Sequence, residues 1–170
     1  MSKKVVGGLI LLVIVSMVIA SAVVVDHEYP KQSEYPWGES PTISVYVEDG
    51  YRRSDVIASL SYWGEGGNGR LNYTPAFIIT YKEDGADIAI RWTDEIEGAA
   101  AGECLILNRG DRFLYAEITL ERESGTTLFF GNCVQETLKH EIGHALGLDH
   151  STDMLDVMYP NKFVFRWFAW

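Results

Sequence analysis

Alternating apolar and polar residues predict strands in the middle of the chain. Segments 42–47 and 86–92 alternate with a period of two, which is typical of strands with one buried face. Short apolar runs predict three more strands, at 76–81, 104–107 and 113–120, the last two joined by a turn at Asn108-Arg109-Gly110. Five short strands separated by turns indicate that a sheet forms the centre of the fold.

Helical spacing of apolar residues predicts one helix early in the chain and one late. The first begins at Ser54, which can cap it, and runs to about Trp63, with an apolar face formed by Val56, Ile57, Leu60 and Trp63. The second begins at Asn132, with Gln135 three residues later as its capping partner. The order strand, helix, several strands, helix predicts an α+β domain with α/β-like layers on one mixed sheet.

An uncharged apolar run occupies residues 5–25 and follows Lys3 and Lys4. As a helix it would span roughly 31 Å, about the thickness of a hydrocarbon core. The run therefore predicts an uncleaved N-terminal membrane anchor, with the two lysines in the cytoplasm and the rest exported. The alternative is a signal peptide, since Ala20-Ser21-Ala22 offers a cleavage site after Ala22 that would release a secreted protein. Both interpretations predict an extracytoplasmic location.

The remaining chain divides into a linker and a single domain. Residues 26–41 are polar and contain Pro30, Pro36 and Pro41, a composition typical of a linker. Residues 42–170 then form the one domain that a chain of 170 residues is expected to contain. The sequence leaves the oligomeric state open.

The net charge narrows the set of partners. With 14 basic and 24 acidic side chains the chain carries a formal charge of −10. Nucleic acid is excluded as a partner, since phosphates require a basic surface, and so is attachment to anionic lipid by charge alone. The acidity serves solubility or, alternatively, attracts cationic substrates.

The chain has two cysteines, Cys104 and Cys133. In an exported chain a disulfide between them is the simplest prediction. Two unpaired thiols in the core are the alternative.

Three of the four histidines lie in one eleven-residue window, His140 to His150, with the pattern HExxHxxGxxH. On a helix, His140 and His144 lie on one face about one turn apart, so both can bind one metal ion. Gly147 can adopt a positive φ and end the helix, and His150 then supplies the third ligand. Imidazole nitrogens suit zinc, and Glu141 beside the open position can take a proton from zinc-bound water. The motif predicts a zinc hydrolase with one catalytic ion.

Met158 lies eight residues after the last histidine and is followed by Tyr159 and Pro160. The histidine motif followed by such a methionine resembles the metzincin clan of metallopeptidases, in which a methionine-containing turn (the Met-turn) lies beneath the zinc. Within the clan, Ser151 after the third histidine and the Met158-Tyr159-Pro160 sequence resemble the matrixins, the family of the matrix metalloproteinases. Residues 86–90 also resemble a matrixin strand.

This resemblance implies a twisted five-stranded sheet with the active-site helix packed beneath it. It implies a peptide or protein substrate, bound in extended form along an edge strand over the cleft, for which 99–107 is the candidate. Tyr159 and Pro160 would form part of the wall of the pocket for the residue after the cleaved bond. The expected activity is that of a zinc endopeptidase with Glu141 as general base.

Several matrixin features are not expected here. The chain shows no propeptide with a zinc-binding cysteine, no ligand set for a second zinc, and only ten residues after Pro160. Those ten are rich in aromatic residues and either pack on the domain or contact the membrane interface. Calcium could bind among Asp94, Glu95, Glu97 and Asp111, although acidic loops of an acidic chain are usually solvated, so a calcium site is unsupported.

Two rival functions stay open. A zinc-holding but catalytically silent binding module at the membrane surface would need the three histidines and would not need Glu141. A zinc hydrolase with a non-peptide substrate would not need the matrixin-like turn. The presence of Glu141 and of the matrixin-like turn favours the peptidase over both rivals.

Overall fold

The computed structural model describes residues 36–38, 41–97, 101–122 and 133–160, apart from the side chain of Cys133. Five strands and two helices follow the order β1 (Thr42–Val47), α1 (Arg53–Gly64), β2 (Ala76–Thr80), β3 (Ile88–Thr93), β4 (Gly102–Arg109), β5 (Arg112–Glu121) and α2 (Cys133–Ala145). The predicted α+β fold is confirmed. The apolar run at 5–25, most of the linker and the aromatic residues after Pro160 lie outside the described residues. Within the described ranges, no helix has both the length and the apolar character needed to span a bilayer.

The five strands form one mixed sheet in the order β2-β1-β3-β5-β4. β1 pairs in parallel with β2 and β3, and β3 pairs in parallel with β5. Only β4 is antiparallel, pairing with β5, and it forms one edge of the sheet. The strand expected within 99–107 thus lies at an edge and runs from Gly102 to Arg109, and its part in binding a substrate stays a prediction.

The core lies between the sheet and the two helices. Strand alternation buries Ile43, Val45 and Val47 on one face of β1. The helices contact each other, and α2 also contacts β4 and β5. The indole nitrogen of Trp63 on α1 donates a 2.8 Å hydrogen bond to the carbonyl of Lys139 on α2. Burial of each large apolar side chain contributes about 1.5–3 kcal/mol, and this packing fixes α2 beneath the edge of the sheet.

The beginning of α1 differs from the prediction. Ser54 lies inside the helix, and the residue before the helix is Arg52, in a left-handed conformation without a side-chain cap. Val56, Leu60 and Trp63 are buried as expected, whereas Ile57 is 49% exposed. The predicted cap of α2, Asn132, lies outside the described residues.

β3 follows its predicted alternation except at Ala89, which is buried although it lies on the same face as the half-buried Arg91. β4 differs more from its predicted form. β4 continues to Arg109 through an irregularity after Leu107, so the chain turns at Gly110 rather than over residues 108–110.

Candidate metal centre

The end of α2 brings the third histidine to the first two. Gly147 adopts φ 90°, and its N–H donates to the carbonyl of His144 at 2.8 Å. The N–H of Leu148 donates to the carbonyl of Gly143 at 3.0 Å. These two bonds close the last turn of the helix and reverse the chain, an ending that favours glycine because of its positive φ. His150 therefore returns toward the helix face that carries the other two histidines.

The three imidazole rings converge as the motif predicts. Nε2 of His144 lies 3.1 Å from Nε2 of His140 and 3.1 Å from Nε2 of His150. The ligand atoms of the three residues all lie within 4.8 Å of one another. Two nitrogens bound to zinc at ~2.0–2.1 Å with a tetrahedral angle would lie roughly 3.3 Å apart. The spacing of the rings therefore fits one zinc ion.

Backbone carbonyls fix the orientation of two of these rings. Nδ1 of His140 is 2.8 Å from the carbonyl oxygen of Val157, and Nδ1 of His144 is 2.8 Å from that of Leu148. A carbonyl only accepts hydrogen bonds, so each Nδ1 donates and each neutral ring presents an unprotonated Nε2. Metal-binding histidines are typically oriented in this way.

The protonation of the rings shows why a cation fits. Burial lowers the pKa of His140 to about 4 and also lowers the pKa of His144, so both rings are mainly neutral at pH 7. Their unprotonated Nε2 atoms cannot hydrogen-bond to each other, and the lone pairs repel. A metal ion bound between His140 and His144 would accept both lone pairs and so remove this repulsion.

Glu141 lies on α2 between the first two histidines and is buried. Burial raises the pKa of Glu141 to about 7, and the negative charge of Glu103 on β4 contributes further. A Cβ atom at Gly102 would lie 3.0 Å from Cγ and 3.2 Å from Oε1 of Glu141. Glycine at this position lets the edge strand pass directly over the carboxylate.

Met158 is fully buried beneath α2. A Cβ atom at Gly143, between the two helical histidines, would overlap the Met158 sulfur and would lie 3.0 Å from Cζ2 of Trp63. The carbonyl of Met158 accepts a 2.9 Å hydrogen bond from the N–H of Ser151, the residue after His150. The methionine thus supports the histidine cluster from below.

The family model described as Matrixin matches residues 47–165, which is most of the chain. The chain belongs to the matrixin family. Matrixins are zinc-dependent metallopeptidases, and the three converging histidines supply the metal-ligand set that this chemistry requires. A comparison with curated proteins finds no match.

Other predicted residues of this matrixin have mixed outcomes. Tyr159 is half-buried and Pro160 is exposed directly after Met158, and their part in a substrate pocket stays a prediction. Cys104 carries a free thiol, so the predicted disulfide is not seen, and the side chain of Cys133 lies outside the described residues. In the part of the chain that the structure describes, the histidine cluster is the one group of metal-ligand type, so calcium ligation by the acidic loops gains no support.

Three parts of the matrixin site were not predicted from the sequence. They are Gly102 above Glu141, Glu103 beside it, and the Val157 carbonyl that orients His140. Only the Val157 carbonyl could have been found from the sequence, because Val157 directly precedes Met158 in the predicted Met-turn. For Gly102 and Glu103 the relevant contact is with a helix more than thirty residues away, which no local pattern shows.

Proposed function

We propose that this matrixin is a zinc endopeptidase that cleaves extended peptides outside the cytoplasmic membrane. The observation that carries the proposal is the convergence of three imidazole Nε2 atoms beside a buried carboxylate, directly below an edge strand. A metal-binding module alone would require the imidazoles and would have no use for the carboxylate.

Zinc held by His140, His144 and His150 would supply a Lewis acid that polarises the peptide carbonyl and acidifies a water molecule. Glu141 takes the proton from that water and later passes it to the leaving amine. A general base is most effective with a pKa near the working pH, and burial places the pKa of Glu141 at about 7 before any cation lowers it.

The substrate backbone binds along β4. In the part of the chain that the structure describes, β4 pairs with β5 alone, so its second edge has unused N–H and C=O groups. An extended peptide can add there as a further strand. The eight residues of β4 begin above Glu141 and offer roughly 26 Å of strand, room for several substrate residues on one side of the cleaved bond. An endopeptidase also requires room for the residues after the cleaved bond, which the pocket proposed at Tyr159 and Pro160 would supply.

Tyr159 and Pro160 form part of the wall of the pocket for the residue after the cleaved bond. Their support is their position immediately after Met158, which lies beneath the histidines. Substitution of Tyr159 by alanine is expected to change which residue is preferred after the cut while leaving zinc binding intact.

The apolar segment 5–25 attaches the enzyme to the membrane as a single helix, with the peptidase domain on the outer side. Cleavage after Ala22 would instead release it. N-terminal sequencing of the protein from membrane and soluble fractions separates the two cases.

The central experiment combines zinc analysis with peptide cleavage by the full-length chain purified in detergent. We expect one zinc per chain and cleavage of a peptide library acetylated and amidated at its ends, abolished by a chelator and restored by zinc. Glu141→Gln should abolish cleavage and retain zinc, whereas His144→Ala should lose both. Glu136→Gln, on the same helix and ion-paired with Lys139 at 2.7 Å, is the matched control and should cleave normally.

The other outcomes would overturn the proposal in distinct ways. Zinc bound without any chelator-sensitive cleavage would indicate a silent binding module. Cleavage that requires free peptide termini would indicate an exopeptidase. Loss of zinc in Glu141→Gln would contradict the role given to this carboxylate.

A further inference from the structure

A buried ion pair between Arg70 and Asp156 contacts the Met-turn, and neither residue belongs to the histidine cluster. Nε of Arg70 lies 3.0 Å from Oδ2 and 3.2 Å from Oδ1 of Asp156, and the side chain of Asp156 is 1% exposed. Nη1 of Arg70 also donates to the Tyr62 hydroxyl at 2.9 Å and to the Gly67 carbonyl at 2.8 Å. The guanidinium is thus held by α1 and the loop after it, and it holds the carboxylate in turn.

Asp156 in turn fixes the backbone of the Met-turn. Its Oδ1 accepts a 2.7 Å hydrogen bond from the N–H of Met158, and its carbonyl accepts one from Tyr159 at 3.2 Å. The peptide between Val157 and Met158 therefore has a fixed orientation, with its N–H toward Asp156 and its carbonyl toward Nδ1 of His140 at 2.8 Å.

The same turn supports the third histidine. The Met158 carbonyl accepts a 2.9 Å hydrogen bond from the N–H of Ser151, next to His150. Two of the three histidines thus depend on the backbone that Asp156 fixes. Asp156 itself is not a member of the histidine cluster.

We infer that Arg70 and Asp156 are positioning residues for the metal centre. Arg70 holds Asp156, Asp156 holds the Val157–Met158 peptide, and that peptide keeps His140 in the Nδ1–H form with Nε2 directed at the metal. Because the histidines are the proposed zinc ligands, this inference rests on the proposed function. Loss of a direct hydrogen-bond partner of a ligand, such as the Val157 carbonyl, typically alters metal affinity 10- to 100-fold. Asp156 and Arg70 act through this carbonyl, so we expect effects at the lower end of that range.

The test compares variants of the pair with a matched ion pair elsewhere. Arg70→Met and Asp156→Ala are each expected to raise the zinc dissociation constant about tenfold or more, measured by competition with a chelator on folded protein. Arg52→Met is the control, since Arg52 pairs with Asp55 at 3.4 Å at the start of α1, and should change the constant less than about twofold, well below the effect of removing a partner behind a ligand.

Two conservative variants keep the inference testable if Arg70→Met or Asp156→Ala does not fold. Arg70→Lys keeps a positive charge beside Asp156 and loses the second nitrogen, Nη1, that binds Tyr62 and Gly67. Asp156→Asn keeps an oxygen for the Met158 N–H and loses the charge. Both are expected to weaken zinc binding several-fold, with an effect between that of the wild type and that of Asp156→Ala.

A second measurement needs no metal. Nitrogen NMR of the metal-free protein is expected to show His140 almost entirely as the Nδ1–H tautomer in the wild type, and as a mixture of tautomers in Asp156→Ala. Arg52→Met should retain the wild-type spectrum.

The outcomes separate this inference from the proposed function. A wild type that binds no zinc overturns the proposed function, while the tautomer of His140 still decides whether the pair orients the ring. Folded variants with lower stability, an unchanged zinc constant and an unchanged tautomer would make the pair structural only and overturn the inference.

Discussion

Gly143 leaves space for the Met158 sulfur between the two helical histidines. Alanine normally improves a helix interior by about 1 kcal/mol over glycine, but here its methyl group would overlap that sulfur and press on Trp63. We expect Gly143→Ala to lower the free energy of unfolding by about 1–3 kcal/mol and to weaken zinc binding, as measured by urea denaturation and chelator competition.

The control for this prediction is Gly64→Ala at the end of α1. A methyl group there would lie 3.6 Å from the Pro75 carbonyl oxygen, an ordinary contact, so stability should be unchanged or improved. Equal losses in both variants would mean that the contact with Met158 is not the cause.

For single residues of the site, the sequence predicts those positions that depend on local spacing. His140, Glu141 and His144 are placed by helical periodicity, and Gly147 ends the helix where the motif requires. The pairing of Arg70 with Asp156 joins residues 86 positions apart, so neither local charge nor periodicity indicates it.

Among the helices and strands, α2 is followed by a reversal of the chain that ends the helix and also orients His144. The left-handed Gly147 brings the Leu148 carbonyl back to Nδ1 of His144. We expect Gly147→Ala to lose about 1–2 kcal/mol of stability, the cost of a left-handed conformation for a residue with Cβ, and to weaken zinc binding as well. Gly147→Asn should lose less, since asparagine tolerates this conformation; equal effects in urea denaturation would argue against a backbone origin.

The edge strand β4 supplies a test based on pH. Burial, and to a lesser extent the charge of Glu141, raise the pKa of the Cys104 thiol to about 12. Only the thiolate reacts with alkylating reagents, so at pH 8 the folded protein should label at Cys104 about a thousandfold more slowly than the unfolded chain, whose thiols have a pKa near 8.5.

Peptide mapping by mass spectrometry separates Cys104 from Cys133. The labelling rate should rise about tenfold for each pH unit below the pKa, because the thiolate fraction rises in that proportion. A rate that levels off near pH 8 or 9 would contradict a raised pKa, and recovery of a disulfide-linked peptide would restore the bond first expected from the sequence.

Element types and rough limits are predictable because alternation and helical periodicity are local properties. The exceptions have local and non-local causes. Arg52 takes a left-handed conformation, so Ser54 does not cap α1, and Ile57 lies at the margin of the buried face. Ala89 of β3 is buried on the more exposed face of the strand, between Tyr46 of β1 and Glu117 of β5. The sequence of β3 alone does not show which strands pair with it.

In the whole molecule, the order of the strands is what the linear pattern leaves open. β5 lies between β3 and β4, so the last strand that the structure describes separates two that precede it. This arrangement puts β4 at the edge and β5 over α2, and it brings Gly102 above Glu141. The resemblance to the matrixins predicts an edge strand over the cleft, whereas the spacing of apolar residues alone does not show which strand lies at the edge.

Metal binding should stabilise the entire domain, because its ligands come from α2 and from the segment after Gly147 and converge only in the folded state. At a free zinc concentration 100 times the dissociation constant, the gain is about 2.7 kcal/mol. For a chain of this size that raises the unfolding temperature by about 5–11 °C. The expected result is a chelator-reversible rise of the unfolding temperature in scanning calorimetry that grows with zinc concentration.

Two controls test whether the histidines cause this rise. His144→Ala removes the central imidazole of the cluster and should show no rise with zinc. The wild type should show no rise when magnesium replaces zinc, since magnesium prefers oxygen ligands. A wild-type unfolding temperature that does not respond to zinc would contradict a metal centre formed by these three histidines.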